Sequence, residues 1–343
     1  MIQAMAYFKI YCWFLIASIG FCAAKDARAQ EKLAQENPAF VFPLDCNLGQ
    51  DCWVLNYVDL DAEDGAAVDF SCGARSVDGN NGTDFTVKNR KIMEDGVDVL
   101  AAADGEILRR RDGQSDTPKT PDELAEITAT NRDCGNGVVI DHGGGVQSVY
   151  CHLKQGSIAV QAGQTIKAGQ KIAQLGASGL AEIPQLHFGI VWEGAVMDPF
   201  SGLHTGSDCG AVKQSLWRDK NTQYVPLSIF DAGFRTAVPD FQAIKMGERN
   251  PQTLPNGAQA LTFWMGYLGA AAGDEIVITI TQPDGERFVR RRYRQKEDAA
   301  QQFYYSGRKI NGGILQQGIY NGEVSVTRGE ITKKFHREVK VVR

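Results

Sequence analysis

Apolar and polar residues alternate along many short stretches of this chain, and glycines separate the stretches. Alternation is typical of β-strands, because successive side chains of a strand point to opposite faces of the sheet. The clearest cases within residues 46–209 are "GVVIDHGGGVQSVYCHL" and "QLHFGIVWEG". Glycines supply the turns that such short strands need. Residues 46–209 are therefore predicted to form a mainly β domain.

A second alternating region covers residues 255–343, where "EIVITIT" is followed by the turn sequence Pro283-Asp284-Gly285. About six or seven short strands in this length favour an immunoglobulin-like β-sandwich. Residues 210–254 carry few structural signals, and they are predicted to link the two domains.

One stretch of the first domain, residues 113–133, departs from the alternation. Within it, Thr120 and Glu123 have the spacing of a capping box, and Pro121 stands at the first helical position. A short surface helix is therefore predicted. The insertion is interpreted as a plain loop excursion, with a lid or a docking element as the alternatives.

The first 29 residues differ from the rest of the chain. Lys9 precedes the apolar run "IYCWFLIASIGFCAA", and Ala27-Arg28-Ala29 has the small-x-small pattern of a cleavage site. These features are typical of a secretory signal peptide. A membrane anchor is the alternative, but the apolar run is shorter than the roughly 20 residues that span a bilayer. Residues 1–29 are predicted to be the signal peptide and residues 30–45 an N-terminal arm. The mature protein is predicted to be secreted or periplasmic, with no membrane span.

The composition fits a folded protein with two domains, since 43% of the 343 residues are hydrophobic and 22% are charged. Export favours disulfides among the cysteines that remain after the signal is removed. These are Cys46, Cys52, Cys72, Cys134, Cys151 and Cys209. Their pairing cannot be chosen from the sequence. All of them precede residue 210, so the disulfides are predicted to lie in the first domain.

The C-terminal part of the chain is basic: residues 215–343 contain 19 Lys and Arg against 13 Asp and Glu, although the whole chain carries −5. The strand "RFVRRRYRQK" places Arg290, Arg292 and Arg294 on one face. The simplest interpretation is a solvated face or a sheet edge protected by charge. A functional interpretation would be contact with an acidic protein, an anionic glycan or a membrane surface, and no nucleic-acid partner is expected.

Three segments of the first domain contain residues that bind metals or move protons: "DGNNGTDFTV", "SVYCHL" and "IPQLHFGI". The residues of these segments and their order along the chain, together with "VLAAADGEI" and "AGQTIKAGQKIAQLGASG", resemble the motifs of the lysostaphin-type (LytM-domain) zinc endopeptidases that cut peptidoglycan. The resemblance extends from about Phe40 to Phe200. It implies a LytM/lysostaphin-like, β-barrel-like domain with a duplicated hybrid motif. The hairpin "AGQTIKAGQKI" also resembles biotinyl and lipoyl carrier domains, but the export signal and the cysteines argue against a carrier.

In that family, zinc is held by the histidine and the aspartate of a His-x-Gly-x-Asp motif and by the last histidine of a His-x-His motif. Two further histidines act in catalysis. The resemblance makes Asp84 and His187 metal ligands and His152 a catalytic histidine. Two positions differ from the family pattern. Asn80 stands in place of the first ligand, and Gln185 stands in place of the second catalytic histidine.

These two differences change the expected activity. Asparagine offers zinc only a neutral oxygen, and glutamine does not exchange protons near neutral pH. Zinc binding is therefore expected to be weak or absent, and the protein is expected to be a degenerate peptidase homologue, a pseudoenzyme of the cell wall. Its expected partners are peptidoglycan or a cell-wall hydrolase that it activates. The alternative is an active zinc-dependent peptidoglycan endopeptidase with an altered metal site.

Two of the three matching residues, His187 and Asp84, also have simpler interpretations, and His152 has an alternative role. His187 is interpreted as a relic or a core strand residue in preference to a ligand, because two ligands make a weak site. Without a metal, Asp84 would be a turn aspartate that bonds its own backbone. A further alternative makes His152 a third ligand, which would rebuild a site of two histidines and one aspartate.

Overall fold

The computed structural model of the protein describes residues 39–211, 214–219, 223–311 and 313–343. The predicted signal peptide, residues 1–29, and most of the predicted arm lie outside these ranges. Phe40–Arg343 form a single unit of the fold. Among the described residues, no helix has the length and apolar character needed to cross a membrane.

Residues 40–217, here called the N-terminal domain, are mainly β. Their elements are β1 (Cys52–Asn56), β2 (Thr83–Val87), α1 (Arg90–Asp95), β3 (Asp98–Leu100), β4 (Gly105–Arg111), α2 (Pro121–Ala129), β5 (Asn136–Asp141), β6 (Val146–Leu153), β7 (Thr165–Ile166), β8 (Lys171–Gln174), β9 (Gln185–Trp192) and β10 (Ala195–Met197). The large antiparallel sheet has the order β1-β2-β9-β6-β5-β4-β7, with β10 paired to β9, and β3 and β8 form a small second sheet.

Strand β9 shows how the sheet separates a core face from an open face. Leu186, Phe188 and Ile190 are buried in the core of the N-terminal domain, together with Val99 of β3 and Ile172 of β8. The residues between them on β9 point to the other side of the sheet, as the alternation in the sequence predicts. The candidate site residues of β9 therefore belong to the face away from the core.

Three disulfides answer the question of pairing that the sequence left open: Cys46–Cys52, Cys72–Cys209 and Cys134–Cys151. All of them lie in the N-terminal domain, as predicted. The second closes a loop with a sequence separation of 137, so it ties the early loops of the domain to its last segment. The third joins the end of the insertion to β6.

The helix predicted in the insertion is confirmed as α2, and Pro121 is its first residue. The Thr120 side chain accepts from the backbone N–H of Glu123, and the Glu123 side chain accepts from the backbone N–H of Thr120. The capping box is therefore complete, which stabilises the exposed first turn. No residue of α2 is buried.

Residues 227–343, here called the C-terminal domain, form two facing sheets. Their described elements are β11 (Ser228–Arg235), α3 (Phe241–Met246), β12 (Thr253–Pro255), β13 (Ala260–Ala270), β14 (Glu275–Thr281), β15 (Arg287–Arg294), β16 (Ala299–Lys309), β17 (Gly318–Arg328) and β18 (Ile331–Val342). The sheets have the orders β11-β13-β16 and β12-β18-β17-β14-β15.

The two sheets share one core, in which Ile276, Ile278 and Ile280 of β14 join Phe263 and other residues of β13. The sheets approach so closely that a Cβ added to Gly322 would lie 2.5 Å from the Phe263 ring. The predicted β-sandwich is confirmed, and its likeness to an immunoglobulin domain stays a prediction. Strand β15 lies at a sheet edge, so the arginine-rich strand is an edge strand, as the charge pattern suggested.

The segment predicted as a linker, residues 210–254, contains a strand of the sandwich. Strand β11 lies within this range and pairs with β13. Its alternation is hidden because Asp231 is buried at a bulge, where it pairs with Arg337. Gly233 further interrupts the pattern, and a Cβ there would lie 1.9 Å from the side-chain oxygen of Asn250. The sandwich therefore begins earlier in the chain than the predicted boundary at residue 255.

The two domains are in direct contact. Trp53 and Leu55 of β1 pack against Phe230 of β11 and Leu268 of β13. The buried guanidinium of Arg75 donates to the carbonyl oxygen of Leu55 at 3.0 Å, and also to the carbonyl oxygen of Val225. One side chain thus bonds to the backbone of both chain segments at the contact.

Candidate functional site

The site lies on the open face of the large sheet, where adjacent strands align polar residues in a row. Asn56 of β1 is opposite Asp84 of β2, and Asp84 is opposite His187 of β9. His187 is in turn opposite Cys151 of β6. Residues that pair across antiparallel strands lie on the same face. The sheet register therefore brings together Asp84 and His187, the two positions predicted as metal ligands.

Both carboxylate oxygens of Asp84 are hydrogen-bonded. Its Oδ1 lies 2.8 Å from Nδ1 of His187. Its Oδ2 accepts from the side-chain amides of Asn56, at 3.0 Å, and of Asn80, at 3.4 Å. Asp84 is buried within β2, so it is not the turn aspartate of the simpler interpretation. The hydrogen-bond partners of this carboxylate are therefore two neutral amides and one imidazole.

His187 is fixed at both ring nitrogens. Nδ1 faces Asp84, and Nε2 lies 2.9 Å from Oδ1 of Asn81. Gly82 makes room for the ring, because a Cβ at that position would lie 2.6 Å from Nε2. The glycine of the "NNGTD" segment is thus required by the close approach of the imidazole.

Asn80 lies beside Asp84, and its amide nitrogen, not its oxygen, faces the carboxylate. The same nitrogen donates to the carbonyl oxygen of Tyr57 at 2.8 Å. The residue at the predicted first ligand position therefore acts as a hydrogen-bond donor to the aspartate.

His152 faces the same cleft because its backbone is left-handed, with a φ of 61°. A regular strand would turn this side chain away from the face of its neighbour Cys151. Nδ1 of His152 lies 2.8 Å from the carbonyl oxygen of Ser178, and the ring centroid lies 6.0 Å from that of His187. Burial, with a smaller contribution from His187, lowers the pKa of His152 to about 4. Cys151 also lines the cleft, but its sulfur is held in the disulfide with Cys134.

Gln185 is the first residue of β9 and is only 9% exposed. Its backbone N–H donates to the carbonyl oxygen of Gly176 at 2.9 Å. It shares the open face with His187, two residues along the strand, as the alternation predicts. The structure thus brings all five predicted site residues to one place.

An open cleft of about 880 Å³ extends from this cluster across the sheet. Besides the five site residues, its lining includes Asn56, Asn81, Arg109, Arg110, Arg111, Gly137, Val139, Val149, Cys151, Gly189 and Val191. The cleft therefore includes the Asp84–His187 pair among its lining residues.

The donor set does not fit a catalytic zinc site, which needs three protein ligands and an open position. Asp84 and His187 supply two donors, and the third position presents the amide nitrogen of Asn80. Across the described residues, three side chains of His, Cys, Asp or Glu come together only at Cys46, Asp51 and Cys52. Two of these are joined in a disulfide, so their sulfurs are not metal ligands.

The groups that hold the site residues in place were not predicted from the sequence. Asn56 bonds Asp84 from within the apolar strand β1, Asn81 bonds His187, and the carbonyl oxygen of Ser178 bonds His152. Asn81 directly follows Asn80 in the motif, which could have identified it. Asn56 reaches Asp84 only through the pairing of β1 with β2, and Ser178 reaches His152 from the loop between β8 and β9. The sequence therefore carries no local signal for either residue.

The model of the family described as "Peptidase family M23" matches residues 78–199. An uncharacterized metalloprotease of Haemophilus influenzae is 28% identical over 148 residues, which cover 42% of this chain and 26% of the relative. The peptidoglycan DD-endopeptidase ShyB of Vibrio cholerae is 30% identical over 112 residues, or 33% of this chain and 20% of the relative. The cell division protein DipM of Caulobacter vibrioides is 28% identical over 114 residues, or 33% and 17%.

The chain thus spans about a quarter or less of the length of these relatives. Among solved structures, a zinc-containing peptidase from Vibrio cholerae is 24% identical, covers 50% of this chain and 40% of its own, and superposes with a TM-score of 0.32. The family match covers all five site residues, from Asn80 to His187. Residues 78–199 therefore match peptidase family M23, the family of the LytM domains that the sequence motifs indicated.

Proposed function

We propose that this protein is an exported, degenerate M23 metallopeptidase homologue that binds peptidoglycan, or activates a cell-wall hydrolase, without cutting peptide bonds itself. The observation that carries the proposal is the Asp84 carboxylate, which is bonded by the amides of Asn56 and Asn80 where a metal site would need an imidazole.

The missing ligand is the first support. Zinc is a borderline-soft ion that prefers imidazole nitrogen, and an asparagine oxygen is a poor replacement. Changes around metal ligands commonly cost roughly 10–100-fold in affinity or activity, and the loss of a direct ligand should cost more. Asn80 would also have to break its bond to the Tyr57 carbonyl oxygen before its amide could turn towards a metal.

The second support is the loss of a proton-transfer group. General acid–base catalysis contributes about 10²–10⁴-fold to a rate, and it needs a side chain that gains and loses protons. Gln185 does neither near neutral pH. This loss falls on the same reaction as the loss of the ligand, so very little hydrolysis should remain.

The third support is that the cleft itself is open, with about 880 Å³ beside the altered residues. Binding in an open cleft needs shape and hydrogen-bonding groups, and it does not need the metal. Among the relatives, ShyB is named for an action on peptidoglycan and DipM for cell division. An activity on or near peptidoglycan is therefore the natural proposal for this chain.

Export is part of the proposal. The three disulfides of the N-terminal domain are of the kind that persists in oxidising compartments such as the periplasm or the cell exterior. The predicted signal peptide, residues 1–29, agrees with this location.

One observation favours a second candidate, an active enzyme with an altered metal site. His152 lies close to His187, with 6.0 Å between ring centroids, and its Nε2 has no hydrogen bond with the described residues. A rotated His152 would join Asp84 and His187 as the third ligand. That arrangement would remove the last catalytic histidine of the site.

The test is to incubate the mature protein with purified peptidoglycan and added zinc, and to measure both cosedimentation and new amino termini. The expected result is cosedimentation without new termini. New termini that disappear in His152→Ala would overturn the proposal in favour of the altered enzyme. If the protein neither cosediments nor accelerates a purified cell-wall hydrolase from the same envelope, the proposal fails in both of its forms.

A further inference from the structure

Three arginines, Arg109, Arg110 and Arg111, lie in succession at the end of β4 and line the cleft. The sheet register fixes the face on which Arg109 lies. Arg109 is opposite Val139 of β5, and Val139 is opposite Val149 of β6. Val149 is opposite Gly189 of β9, two residues from His187. Arg109 therefore shares the open face with the Asp84–His187 pair.

The same register sets the distance between the two strands that carry these groups. From β9 to β4 there are three strand spacings of about 4.8 Å, which separate the backbones of these two strands by about 14 Å along the sheet. Arg111 is opposite Gly137, so it lies on the same face as Arg109, two positions along the strand. The cleft thus has a cationic wall at one end and the Asp84–His187 pair at the other.

The floor between these ends is low and mostly apolar. It consists of Gly137, Val139, Val149, Gly189 and the disulfide of Cys151. A Cβ at Gly189 would lie 3.1 Å from the carbonyl oxygen of Asn81, which is a tight contact, so glycine fits this position without a shift of its neighbour. These floor residues therefore present no large side chain to an extended peptide backbone that lies across the strands.

The arginines have little to bind within the protein. Arg109 and Arg110 form no hydrogen bond or ion pair with the described residues, and Arg111 uses only its Nε, which donates to the Gly135 carbonyl oxygen at 2.7 Å. Asp78 and Asp133 also line the cleft, but neither forms an ion pair with these arginines. Three adjacent cations repel one another, so an anionic ligand would relieve the repulsion.

Building on the proposed function, we infer that Arg109 and Arg111 form a carboxylate subsite. The cleft takes an extended, acidic cell-wall peptide that passes over His187 and places a carboxylate three strands away on the two guanidinium groups. The planar guanidinium binds a carboxylate through two parallel hydrogen bonds, which gives both affinity and direction. The subsite would make the cleft select peptides with a free carboxylate over their amidated forms.

The experiment uses muropeptides released from purified peptidoglycan by a muramidase, together with the same muropeptides after their carboxylates are converted to amides. Binding of each form to the full mature protein is measured by isothermal titration calorimetry. We expect the carboxylate form to bind about tenfold tighter or more, the usual effect of one charge-assisted hydrogen-bonded pair. Arg109→Gln with Arg111→Gln should remove this preference.

Two further variants test whether the preference for the carboxylate form depends on the cleft arginines alone. Arg109→Gln alone changes an exposed side chain that has no hydrogen bond or ion pair with the described residues, so this variant should fold normally. Arg290→Gln with Arg292→Gln removes the same charge from the exposed face of β15, and it should keep the preference of the natural protein. Equal binding of the two muropeptide forms by the natural protein, or a preference that survives in the double cleft variant, would overturn the subsite alone. Failure of both forms to bind would overturn peptidoglycan binding and the subsite together.

Discussion

The N-terminal domain buries polar side chains to an extent that the C-terminal domain does not. Of the 20 buried polar or charged side chains among the described residues, 15 lie in the N-terminal domain. All three disulfides lie there as well. In the sandwich, by contrast, strands such as β14 simply alternate buried isoleucines with partly exposed residues.

This difference distinguishes the C-terminal sandwich, whose buried residues are mainly apolar, from the N-terminal domain, which also holds a polar site. Buried polar groups are costly unless each finds a partner, so they persist where function or covalent bonds support them. Four of the 15 line the cleft together: Asn56, Asp84, His152 and Gln185. Disulfides and buried charge should therefore dominate the stability of the N-terminal domain, and apolar packing that of the sandwich.

The largest loss of stability is expected when the disulfide that closes the longest loop is removed. Cys72→Ser with Cys209→Ser opens a loop with a separation of 137 residues, and the chain-entropy account assigns such a loop about 5 kcal/mol. Hydrogen exchange, followed peptide by peptide, should show lost protection in β1–β10 and retained protection in β14 and β17. Cys46→Ser with Cys52→Ser is the matched control, with about 2 kcal/mol expected for its short loop. Equal effects of the two pairs would contradict the loop-length argument.

The second effect is a dependence of stability on pH. It is caused by Asp198, which is fully buried in the N-terminal domain. Burial raises its pKa to about 7, although Ser201 donates to its Oδ1 at 2.7 Å. Because the folded pKa exceeds the unfolded value of 3.8, the contribution to stability is complete below pH 3.8 and is lost as the pH rises towards 7. The slope should approach about 1.4 kcal/mol per pH unit in this window.

Asp198→Asn removes the titration, so denaturant melts at several pH values should show a flatter profile for this variant. Asp240→Asn is a suitable control, because this exposed aspartate lies in the C-terminal domain at the start of α3. An unchanged slope in Asp198→Asn would show that other groups cause the pH dependence.

The third and smallest effect belongs to the sandwich. Ile278→Ala removes a fully buried side chain of β14, and about 3 kcal/mol of stability should be lost. Ile278→Val should cost about 1 kcal/mol, because it leaves a smaller cavity. Calorimetry of both variants measures the change. A cost of Ile278→Ala below that of Ile278→Val would contradict the proposed packing of the two sheets.

Alternation predicted the sandwich strands well, because β14 and β17 bury one face and expose the other. It failed for β11, where buried Asp231 and the close approach of Asn250 to Gly233 replace the expected apolar residues. Both features depend on residues outside the strand, Arg337 for Asp231 and Asn250 for Gly233. No local pattern predicts them.

For the site, the sequence motifs identified five candidate residues, and all of them line one cleft in the structure. They are Asn80, Asp84, His152, Gln185 and His187. The alternation rule alone would have turned His152 away from this face, and its left-handed backbone reverses that expectation. The amide of Asn56 could not be predicted, because only the pairing of β1 with β2 brings it to Asp84. Physical pattern thus predicted the strands, family motifs predicted the residues, and the hydrogen-bond partners required the fold.

The most direct test of the central claim is the zinc affinity of the mature protein compared with that of Asn80→His, measured by competition with a chromophoric chelator. Gln185→His serves as the matched control, because it restores an imidazole at a position that does not hold the metal in the family pattern. The account predicts that zinc binds the natural protein weakly, that Asn80→His strengthens binding by about 100-fold or more, and that Gln185→His leaves it nearly unchanged. One tightly bound zinc in the natural protein, with no gain in Asn80→His, would contradict the account.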